Sequence, residues 1–141
     1  FWLNWLAFIR VELVDSGLIS ADDLHLIHVT KNPAEAMEHI DRFYRIFHSY
    51  RFVGDSIVIR LNAQLPAQWV EHLERDFSDL ILPGGKMIQS GPLAEEAEEP
   101  NLDRLPRLVF PIKRGNYGRL RLLIDRINQT PSRTYSPPTH A

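Results

Sequence analysis

The stretch LHLIHVTKNPAE, residues 24–35, decides how the chain is read. In an extended chain Leu24, Leu26 and His28 fall on one side and His25, Ile27 and Val29 on the other. Both sides are mostly apolar, which suits a strand covered on two faces in a parallel sheet. Asn32-Pro33-Ala34-Glu35 then opens a helix. Asn32 can accept from the first free amides, Pro33 is preset for the first helical position, and Glu35 completes a capping box. Met37, Ile40, Phe43, Tyr44 and Phe47 continue it as one apolar stripe.

Upstream, residues 1–14 (FWLNWLAFIRVELV) are apolar apart from Asn4, Arg10 and Glu12. No basic leader or small-residue cleavage site makes this a signal peptide, and the run falls short of the roughly 20 apolar residues of a membrane span. Helical spacing of Trp2, Trp5, Leu6, Ile9 and Leu13 predicts a buried helix, ended by Gly17. A helix apolar nearly all round must be covered on several sides, so the segment reads as part of something larger. Residues 1–50 thus predict helix, strand, helix, the closing unit of a Rossmann-type α/β domain.

From residue 51 the pattern changes. Residues 55–61 alternate, with Ile57, Ile59 and Leu61 inward and Ser56, Val58 and Arg60 outward, a strand with one wet face. Pro66 opens a helix carrying Trp69, Val70, Leu73, Phe77 and Leu80. Pro83-Gly84-Gly85 turns into a short strand over 86–90, and 107–113 (RLVFPIK) is another, placed at an edge or bulge by Pro111. A last helix starts near Asn116 and packs Tyr117, Leu120, Leu123, Ile124 and Ile127. Residues 51–128 therefore predict a small α+β domain of order βαββα, a ferredoxin-like pattern. Residues 129–141, with three prolines and no apolar period, predict a disordered tail.

With 44% hydrophobic and 24% charged residues the composition is globular, and a net charge of -2 gives no basic field for nucleic acid. The absence of cysteine excludes disulfides, thiolate metal sites and thiol nucleophiles, and fits a reducing cytoplasm. His25 and His28 would point to opposite strand faces, and His39 and His48 lie too far apart on one helix to share an ion, so no metal site is expected. Pro83-Gly84-Gly85 is followed by a strand pattern rather than the helix a phosphate loop needs, so it reads as a turn. Lys113, Arg114 and Arg119 surround a strand-to-helix turn and are the candidate anion-binding residues. Their plainer reading is pairing with the acidic loop at 95–103, itself expected to be solvated. Arg42, Arg45 and Arg51 read as arginines flanking a core stripe. No nucleophile, paired carboxylate or catalytic triad can be assembled, so no catalytic residue is assigned.

Gly17-Leu18-Ile19-Ser20, His28-Val29-Thr30 and the Asn32-Pro33 cap occur in an order that resembles the end of the nucleotide-binding domain of the LOG ("lonely guy") family, often labelled lysine decarboxylases. Residues 51–128 resemble the extra C-terminal domain of longer bacterial members. The resemblance implies a parent protein that hydrolyses the N-glycosidic bond of nucleoside 5'-monophosphates. It also implies that the catalytic Pro-Gly-Gly-x-Gly-Thr loop lies outside this chain, because Pro83-Gly84-Gly85 lacks the following Gly-Thr. The chain alone is then expected to be inactive and to need no cofactor. Its expected partners are the N-terminal part of such a parent and further copies in a homo-oligomer, with nucleotide bound by the parent only and neither nucleic acid nor membrane engaged. The alternative, by fold analogy, is a ferredoxin-like regulatory ligand-binding or subunit-association module.

Overall fold

A computed structural model describes residues 1–131. Its helices are α1 (Trp2–Phe8), α2 (Pro33–Phe43), α3 (Ala67–Asp76) and α4 (Tyr117–Asn128). Its strands are β1 (Phe47–Val53), β2 (Ser56–Leu61), β3 (Ile88–Ser90) and β4 (Arg107–Pro111). They form one four-stranded sheet of order β1-β2-β4-β3 in which every neighbour is antiparallel. Since β4 lies between β2 and β3 and opposes both, β2–α3–β3 is a split crossover between strands that run the same way.

β1 and β2 are joined by a two-residue turn in which Gly54 has φ +54 at the first central position, where a tight hairpin demands positive φ. Tyr50 and Phe52 pair with Ile59 and Ile57 and so share their face. That face, with Leu61, Leu108 and Phe110, packs on Leu73 and Phe77 near α3 and on Leu120, Leu123, Ile124 and Ile127 of α4. Apolar residues three and four apart put one stripe of each helix on the sheet, as the periodicity predicts.

Several expectations are corrected. No strand forms over 24–30: Ala21–Leu26 is a 3-10 turn, opened by Ser20 accepting from the Asp22 amide while Asp23 accepts from the Ser20 amide at 2.9 Å. A strand also needs a paired neighbour, and none lies beside residues 24–30 among the described residues. The helix opened by Asn32 forms, with Asn32 Oδ1 accepting from the Glu35 amide at 2.9 Å, but it stops at Phe43, and Phe47 begins β1. β1 therefore runs through position 50, where the sequence reading divides the chain. The first helix gives way to a π-helical stretch at Ile9–Val14 and is largely exposed rather than buried, with Ile9 its one buried residue among the described residues. Tyr117 is likewise exposed.

β2 is not wet on one face: Val58 is 0% and Arg60 4% exposed. The acidic loop expected to be solvated folds across that face and buries Glu96. Pro111 closes an internal strand rather than an edge one. It faces Ser56 between rungs, where the Ile112 amide donates to the Asp55 carbonyl at 2.9 Å, so its missing N–H removes no bond to β2. Of the expected tail, Thr130 is buried and its hydroxyl donates to the Ile127 carbonyl at 2.6 Å. Residues 132–141 lie outside the described residues.

Candidate functional site

Of the three predicted anion-binding residues, Lys113 and Arg114 precede α4 and Arg119 lies in its first turn, and the side chains of Arg114 and Arg119 turn to different partners. Asn116 caps α4 by accepting from the Arg119 amide at 2.9 Å. The Arg119 guanidinium forks onto Asp79, with Nε 2.9 Å from Oδ2 and Nη2 3.0 Å from Oδ1, and lies 4.4 Å above the Phe77 ring. That fork holds the Asp79 carboxyl below its ordinary value, against the opposing effect of burial. Arg114 reaches back to the β1–β2 turn, donating to the Gly54 carbonyl and covering the Phe52 ring at 4.5 Å. The Lys113 amide donates to the Leu80 carbonyl at 2.8 Å. Gly118, in the first turn of α4, has a packing role: a Cβ there would meet the Asp22 carbonyl carbon at 2.3 Å, and the Gly118 amide donates to Asp23 Oδ1 at 3.2 Å.

Only Arg107, of the basic residues at 104–126, pairs with the acidic loop among the described residues. Arg107 and Arg60 clasp Glu96 from two strands, with Nε–Oε distances of 3.1 and 2.8 Å. Arg60 also lies 2.9 Å from Glu99, which Arg51 meets at 3.0 Å. Burial pushes the Glu96 carboxyl up, but the Leu93 amide and the two guanidiniums outweigh it and hold the carboxyl below its ordinary value. This network covers the sheet face, and Glu96, Arg60 and Arg107 are all buried beneath the loop.

Pro83-Gly84-Gly85 sits beside a hollow of about 410 Å³ whose wall includes Glu71 and Glu74. A Cβ on Gly85 would strike Pro111 Cγ at 2.3 Å, so that glycine serves the close approach of two chain segments. The same wall carries one cation, Arg75, which pairs with Asp76 at 3.0 Å.

A cleft of about 530 Å³ lies between α2 and α4. His39 and Arg42 come from one wall, Arg121 and Asp125 from the other, with Arg45 and Asn128 at one end. Arg121 donates from Nε to Asp125 at 3.0 Å, lies 4.5 Å over the Phe43 ring, and places Nη2 3.2 Å from His39 Nε2. An arginine can only donate, so His39 Nε2 accepts and the ring's proton sits on Nδ1. His28 stacks on His39 with centroids 3.8 Å apart. Burial, then His28, Arg121 and Arg42, push the His39 imidazole below its ordinary value, against the pull of Asp125. Asn128 ties the end of α2 to β1: Oδ1 accepts from the Ile46 and Phe47 amides at 2.8 and 3.0 Å, and Nδ2 donates to the Phe43 carbonyl. Arg45 donates to the Asn128 and Thr130 carbonyls.

Sequence reasoning found neither His39 nor Arg121 as a site residue, because they meet only when α2 and α4 pack. No group of three or more metal-ligating side chains occurs among the described residues. No described helix is long and apolar enough to cross a membrane. The chain matches no family model, no curated protein and no solved structure. The cleft offers cationic donors and one neutral imidazole, a set suited to holding an anion.

Proposed function

We propose that the chain is the accessory, C-terminal part of a LOG-like nucleoside 5'-monophosphate phosphoribohydrolase and has no glycosidase activity alone. The observation that carries the reading is an exposed apolar set, Phe1, Trp2, Leu3, Phe8, Val11 and Leu18, beside a sheet domain with its own closed core. Apolar surface of this kind is suited to burial against another domain or subunit. Further support comes from Ile27, whose extended backbone could be continued as a strand by a parallel neighbour. In this reading the residues ahead of β1 complete a Rossmann-type domain. The sheet order supports a ferredoxin-like relationship for the remainder, with β1 taking the position that the last strand holds in a βαββαβ unit.

The reaction would belong to the rest of the parent, where a carboxylate stabilises an oxocarbenium-like ribosyl centre while water attacks. Incubation of AMP with the chain and with the longest polypeptide encoded in frame with it, assayed for adenine, tests both parts. Release by the longer polypeptide alone is expected. Release by the chain alone overturns the placement of the active site, and no release by either overturns the LOG-like assignment.

A second reading, a regulatory ligand-binding or subunit-association module, is favoured by the cationic cleft between α2 and α4. Calorimetry with nucleotides distinguishes it, since a purely structural accessory part binds none.

A further inference from the structure

We propose that the cleft between α2 and α4 is a binding site for a small phosphate-bearing anion, held by Arg42 and Arg121 with His39 as a proton-accepting third contact. The inference deepens the ligand-binding reading and is independent of the LOG-like assignment.

Charge is the first argument. Three arginines and one aspartate line the cleft, and His39 is neutral in the hydrogen bond it accepts from Arg121. Arg45 is engaged with backbone carbonyls and forms wall rather than contact. Arg42 uses Nε on the Glu38 carbonyl at 3.2 Å, and its Nη atoms have no carboxylate partner among the described residues. Its fork is therefore available to an oxyanion without breaking an ion pair.

Preorganisation is the second. Arg121 is held through Nε by Asp125 and across its face by the Phe43 ring, so little side-chain freedom remains to be lost on binding while Nη2 can exchange its partner. Planar guanidiniums held in place match the paired oxygens of a phosphoryl group. An opening of about 530 Å³ is large enough for a phosphorylated metabolite.

Proton coupling is the third. The groups facing His39 are His28 beside it, Arg42 on its own helix, and Arg121 and Asp125 on α4. Burial, then His28 and the two arginines, disfavour an imidazolium at His39. A bound dianion reverses that field, and Arg121 can turn its Nη2 from the imidazole to the anion, leaving Nε2 open to a proton. Binding should therefore draw a proton from solvent and tighten as pH falls.

The test is isothermal calorimetry of the chain with pyrophosphate, inorganic phosphate, AMP and sulfate at constant ionic strength, at about pH 6 and about pH 8. Expected results are saturable binding of a phosphate compound in preference to sulfate, at least about tenfold weaker in Arg42→Ala and in Arg121→Ala. Arg121→Lys should keep the fold and part of the affinity. His39→Gln should show no gain in affinity between the higher pH and the lower one, and Arg42→Ala should keep that gain in whatever binding remains. Arg114→Ala and Arg119→Ala should bind like the parent. Preference for pyrophosphate or phosphate over AMP would make the ligand a simple phosphate, and the reverse a nucleotide. No saturable binding at millimolar pyrophosphate or AMP, equal binding of sulfate, or binding lost in Arg114→Ala but kept in the well-folded Arg121→Lys and Arg42→Ala variants would each overturn the proposal.

Discussion

Arg60 and Arg107 stand directly opposite one another across β2 and β4, and both are buried. Like charges at facing positions repel, and here Glu96, 1% exposed, is inserted between them. One carboxylate from a loop thereby allows two arginines to occupy a covered sheet face. The loop is in turn held down by the bonds that Arg107 Nη1 makes to the Leu102 and Leu105 carbonyls.

Removing that carboxylate leaves two buried guanidiniums facing each other. Glu96→Ala should lower the unfolding free energy by about 3–5 kcal/mol, the usual cost of breaking a buried pair. Urea denaturation measures it. A triple variant with Arg60→Met, Glu96→Leu and Arg107→Met should recover much of that loss, because the desolvation of all three ions disappears together. A small effect of Glu96→Ala would mean that water enters the network.

Acid should weaken the fold in two stages. His39, held below its ordinary value of 6.5, takes a proton more readily in the unfolded chain. Stability is therefore full above that value and falls as pH drops below it. Glu96 and Asp79, held below 4.5 and 3.8, add a second and steeper loss as pH falls further, since the unfolded chain again binds the protons first. Thermal melts across this range check both stages, and His39→Gln should flatten only the first.

Asn128 satisfies two buried amides and one carbonyl at the junction of α2 and β1. Asn128→Leu should cost about 1–3 kcal/mol for each group left without a partner. Amide hydrogen exchange at Ile46 and Phe47 should accelerate more than at Ile59 in the sheet centre.

Gly118 lets the Asp22–Asp23 backbone rest on α4. Gly118→Ala should leave α4 itself intact, alanine being the better helix former, but should push the 21–26 turn away. Faster hydrogen exchange confined to that turn is the expected signature. Unchanged exchange there would mean that the helix shifts instead.

Much of the fold was legible from local rules. α3, α4, β2 and β4 follow from the apolar patterns, and the Asn32 cap from residue type. β1 was hidden because Phe47 sits at helical spacing from Phe43, although Gly54-Asp55 between two extended runs is the signal that reveals it. In the candidate site, the start of α4 near Asn116 was legible and the partners of the cations were not. Arg119 meets Asp79 from 40 positions away, and Arg121 meets His39 from 82.

The sequence by itself determined which segments could be helix or strand, because periodicity and capping are properties of neighbouring residues. Residues 24–30 mark the limit of that rule. Their apolar pattern permits a strand, yet a strand exists only where another chain segment supplies its hydrogen bonds, and the local Ser20–Asp23 capping box prevailed just upstream. Only the tertiary structure decided that the acidic loop covers the sheet, that Glu96 lies between Arg60 and Arg107, and that two helices form a cationic cleft. Those outcomes depend on contacts between residues distant in sequence, where solvation, charge and shape are settled together.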